Sequence, residues 1–65
     1  MKPNIWEVMK KGDGSFEILH KGELLRGSIP EKWLEAELGR YGFCGQEYKD
    51  IRDQLEQSGK AKIVL

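Results

Sequence analysis

Cysteine occurs once in this sequence, at Cys44, so no disulfide can form within the chain. Histidine also occurs once, at His20, and one Cys plus one His cannot supply the four ligands of a usual structural metal site. No apolar run approaches the roughly 18 residues that a membrane helix needs, and no signal-like apolar stretch follows Met1. The lone thiol and the missing leader together lead to the expectation of a reducing compartment, the cytoplasm, without membrane contact. Charge of one sign is lacking too. Eleven lysines and arginines balance eleven acidic residues, and the sequence pI is about 6.6. A strongly basic nucleic-acid binder or an acidic disordered tail would not have that balance.

Sixty-five residues suffice for one domain, and residues 1–65 are read as a single one. Such a chain buries only about 60% of the surface that it exposes when unfolded, so a partner that covers more would help it.

Eight glycines divide the chain into short elements. Residues 5–10 are rich in β-formers. Gly12-Asp13-Gly14 then marks a turn, and Phe16-Glu17-Ile18-Leu19-His20 reads as a second strand. Lys21-Gly22 makes another tight turn into Glu23-Leu24-Leu25-Arg26. The period then changes from two to helical. Ser28-Ile29-Pro30-Glu31 fits a capping box, and Ile29, Trp33, Leu34 and Leu38 recur at helical spacing until Gly39 and Gly42. A second helix is expected over residues 46–57, with Tyr48, Ile51 and Leu55 on its apolar stripe. Ser58-Gly59 stops it, and residues 60–65 alternate as a last strand. The expected fold is α+β and two-layered: a three-stranded antiparallel meander, two helices and a C-terminal strand, in the order β-β-β-α-α-β.

Register decides which side chains share a sheet face. A two-residue turn at Lys21-Gly22 sets Leu19 opposite Leu24, Ile18 opposite Leu25 and Glu17 opposite Arg26. The first hairpin has two possible parities, one pairing Met9 with Ile18 and the other Val8 with Ile18. Both faces carry apolar side chains in either case, and two short helices can cover only one. The second face holds Leu19 and Leu24 with either Ile5 and Met9 or Trp6 and Val8. Leu19, Leu24, Ile5 and Met9 form the candidate interaction face, and a protein-interaction or self-associating module is the expected function. Another protein or a second copy of the chain would be the partner.

Chemistry-bearing residues are sparse. His20 has no candidate nucleophile beside it, and Cys44 reads as a small half-buried residue next to Phe43 rather than as a reactive thiol. The helix carboxylates lie among lysines and arginines and read as a solvated face. No catalysis, cofactor or metal is expected.

Two helices joined by Gly42-Phe43-Cys44-Gly45 and followed by the strand of residues 60–65 are similar to the βααβ core of K-homology RNA-binding domains. The likeness covers residues 24–65 at most. In that family a G-x-x-G loop clamps the nucleic-acid backbone, so the resemblance implies single-stranded nucleic-acid binding by Gly42, Phe43, Cys44 and Gly45, with Lys60 and Lys62 nearby. The family's loop is usually basic, whereas this one has Phe43 and Cys44 at its centre. Nucleic acid therefore ranks second as a partner.

Overall fold

A computed structural model describes residues 4–65. Its elements are β1 (Ile5–Lys10), β2 (Phe16–His20), β3 (Glu23–Ile29), α1 (Glu31–Arg40), α2 (Gln46–Ser58) and β4 (Lys60–Val64). The strands form one antiparallel sheet in the order β3-β2-β1-β4, so the α+β fold of the sequence reading is present. The chain leaves one edge of the sheet at β3, runs through both helices, and returns to the opposite edge at β4.

The first hairpin takes the three-residue parity. Val8 faces Ile18 and Trp6 faces His20, and the Lys11 N–H donates to the Ser15 carbonyl around the Gly12-Asp13-Gly14 turn. Asp13 locks this turn by accepting from both the N–H and the hydroxyl of Ser15, at 2.9 and 2.6 Å. The second hairpin has the expected Lys21-Gly22 loop, with φ of 54° and 82° at its two residues. Positive φ at both central residues is what a type I′ turn requires.

Beyond that turn β3 departs from the expected register. Leu19 faces Leu24, but Ile18 faces Arg26, because a bulge inserts Leu25. A second irregularity follows before Ile29 pairs with Phe16. Arg26 thereby turns toward the helices and meets Glu37 of α1 at 3.3 Å instead of Glu17. The Ser28 capping box is not formed. Ser28 still belongs to β3 with φ of 56°, its hydroxyl accepts from Lys11, and the N-cap position falls to Pro30 without a side-chain cap. Burial of Ile29 against the sheet holds this segment extended and starts the helix two residues later than its local pattern suggests.

Both helices cover one sheet face. Trp6, Val8, Phe16, Ile18, Ile29 and Ala61 meet Leu34, Leu38, Phe43, Ile51 and Leu55 in a single buried core. Full burial of a side chain such as Ile18 or Leu34 contributes about 1.5–3 kcal/mol. Trp33, expected on the buried stripe, is 55% exposed, and Gly39 lies inside α1 rather than ending it. The Phe43 and Gly42 N–H groups close α1 by donating to the Leu38 and Gly39 carbonyls. α2 runs one residue further than expected, to Ser58, and the Gly59 N–H donates to Leu55.

Candidate functional site

Pleating places alternate residues of each strand on opposite faces. With Trp6, Val8, Phe16, Ile18 and Ala61 under the helices, the other face receives Ile5, Glu7 and Met9 from β1, Glu17 and Leu19 from β2, Leu24 from β3, and Lys60, Lys62 and Val64 from β4. No helix or strand among the described residues lies over it. The four residues singled out in the sequence, Ile5, Met9, Leu19 and Leu24, thus share this open face. Ile5, Met9 and Leu19 are half-buried by their neighbours, whereas Leu24 is 57% exposed and Val64, which faces Ile5, is 61% exposed.

The charges on this face have an order. Glu7 and Glu17 stand on the inner strands, and Lys60 and Lys62 on the edge strand, with Glu7 directly opposite Lys62. Lys11 lies 3.8 Å from Glu17 beside the first turn. Opposite charges across strands contribute roughly 0.2–1 kcal/mol per pair.

Both sheet edges are blunted. On β4 the Lys62 N–H donates to Gln54 Oε1 at 3.1 Å, and the Ser58 hydroxyl donates to the Lys60 carbonyl at 3.2 Å. On β3 two irregularities, one between the partners of Leu19 and Ile18 and one between those of Ile18 and Phe16, distort the strand. Such devices oppose uncontrolled strand addition. The face of the sheet, rather than its edges, is the larger regular surface on offer.

The G-x-x-G segment serves the core. Phe43 is 3% exposed and meets Trp6 edge-on, with ring centroids 5.1 Å apart. Gly42 and Gly45, with φ of 92° and 61°, turn the chain on either side of it. Cys44 is exposed rather than half-buried, because Phe43 takes the inward position. Lys60 and Lys62 project from the far face of the sheet, so they and the loop do not form one surface.

At the same end His20 stacks on Trp6, with ring centroids 3.9 Å apart and planes 19° from parallel. His20 Nε2–H donates to Asn4 Oδ1, and Tyr41 closes the cluster with its ring centroid 5.1 Å from that of Trp6. The aromatic packing accounts for the only histidine. The Trp6 indole N–H is buried without a partner among the described residues. No group of three or more potential metal ligands occurs among those residues. No helix there is long and apolar enough to cross a membrane. No protein-family model, curated protein or solved structure matches the chain.

Proposed function

We propose that the chain is a small, non-catalytic protein-interaction module that works through the open sheet face, with a second copy of itself as the first occupant. One observation carries this: an entire four-stranded face, apolar at Ile5, Met9, Leu19, Leu24 and Val64, has no layer over it among the described residues. Self-association suits the charge pattern. The face presents two glutamates and two edge lysines, and the chain has no net charge to drive copies apart. The exposed, unpaired Cys44 supports a reducing, cytoplasmic setting.

Magnitudes bound the strength. Four strands at about 4.8 Å spacing and five residues at about 3.3 Å rise give a face of roughly 320 Å² in projection. A face this small falls short of the extent of a standard stable interface, so the association is expected to be weak and reversible. Amide spectra recorded from about 20 µM to 2 mM test it. Concentration-dependent shifts at Ile5, Met9, Leu19, Leu24 and Val64 are expected; shifts confined to the helices would overturn this reading.

A further inference from the structure

A second surface lies on the helix side, where Trp33 and Glu37 of α1 stand beside the end of β3. Arg26, Ser28, Ile29, Pro30, Trp33 and Glu37 line a shallow, open groove of about 220 Å³ there. That volume is below the roughly 300–1000 Å³ of a small-molecule pocket, and it suits one or two side chains of a larger partner. Two features converge on it. Trp33 forms a wall while remaining 55% exposed, although it lies one position from the fully buried Leu34. Ser28 holds a left-handed φ of 56°, which is uncommon for a non-glycine residue and collects at binding and active sites.

Charge says what the groove accepts. Glu37 is reached from two sides, by Arg26 Nε at 3.3 Å and by an Arg40 guanidinium nitrogen at 3.4 Å. Two guanidiniums on one carboxylate leave a local surplus of one positive charge. Each arginine has five N–H donors and gives only one to Glu37 within hydrogen-bond distance, so most remain for an incoming carboxylate. Such a surplus suits a single carboxylate rather than a polyanion. A run of phosphates relies on several neutralising contacts, and Arg26 is the only cation in the groove's lining.

We propose that this groove is a docking site for an acidic, extended peptide segment of a partner protein, with one apolar side chain laid against Trp33 and a neighbouring carboxylate held by Arg26. Exposed tryptophan beside exposed arginine is the composition of interface hot spots. The site is separate from the open sheet face and stands whether or not that face self-associates.

A phage-displayed library of random dodecapeptides selected on the intact chain tests this. Enriched peptides are expected to carry acidic residues next to an apolar one and to shift the Trp33 indole and residues 26–29 in amide spectra. Trp33→Ala should weaken the best peptide at least about tenfold, and Arg26→Ala several-fold. Both residues are more than half exposed and lie outside the buried core, so both variants are expected to keep the fold, with matched melting curves as the check. Glu37→Gln removes the competing carboxylate and should tighten binding about threefold or more, an effect that a purely structural Glu37 would not give. No enrichment, enrichment of basic peptides, or unchanged binding by Trp33→Ala would overturn the proposal. So would tighter, Trp33-dependent binding of an oligouridylate than of any selected peptide.

Discussion

Asp13 shows how an exposed residue can be tuned by its turn alone. The hydroxyl and main-chain N–H of Ser15 favour its ionised form and hold its pKa below the ordinary value of 3.8, with nearby Lys11 adding to the effect. Its folded pKa lies below the unfolded one, so its contribution to stability is present above the unfolded value and lost as pH falls through the folded value. A carboxyl-carbon titration should find the Asp13 midpoint below 3.8, and Ser15→Ala should move it upward. Ser28 offers a second test. Glycine tolerates a φ of 56° better than serine does, so Ser28→Gly should raise unfolding stability by about 0.5–1 kcal/mol, measured by urea titration. Trp6 couples area to an unmet donor. Trp6→Ala should cost about 3–5 kcal/mol, whereas Trp6→Phe should cost much less because it also removes the buried N–H that lacks a partner.

At the scale of elements, α1 is tied down by few residues. Only Leu34 and Leu38 are buried within it, and its N-cap Pro30 provides no side-chain acceptor. Leu34→Ala should cost about 2–5 kcal/mol, and Pro30→Ser should return about 0.5–1 kcal/mol by capping the first turn; thermal unfolding reads both. In this region the local sequence signals also give way to tertiary packing. The hairpins were legible because Asp13-Gly14 and Lys21-Gly22 specify turns locally, and Ile51 and Leu55 marked the buried stripe of α2. The bulge at Leu25 has no local signature, since Leu24-Leu25-Arg26 suits a regular strand equally well. Ser28 carried a sound capping pattern, but burial of Ile29 opposite Phe16 outweighed it. Trp33 went outward because Leu34 and Leu38 already fill the space above the sheet.

For the whole molecule, the balance of layers matters most. Two helices cover one face of a four-stranded sheet, and nothing among the described residues covers the other. The apolar residues of that face were legible from period-two alternation, and the three-residue first hairpin then brought Ile5 and Met9 to the side of Leu19 and Leu24. The position of β4 was not legible, because either sheet edge could have accepted it; beside β1 it adds Val64, Lys60 and Lys62 to the open face. Leu24 and Val64 are exposed, so Leu24→Asp with Val64→Asp should change monomer stability by no more than about 1 kcal/mol. Sedimentation equilibrium of the intact chain and of this double variant, up to about 1 mM and with matched melting curves, tests the open face most directly. A reversible dimer of the intact chain that becomes a monomer in the equally stable double variant is the expected result. A monomer throughout, or a dimer that the two aspartates leave unchanged, would contradict it.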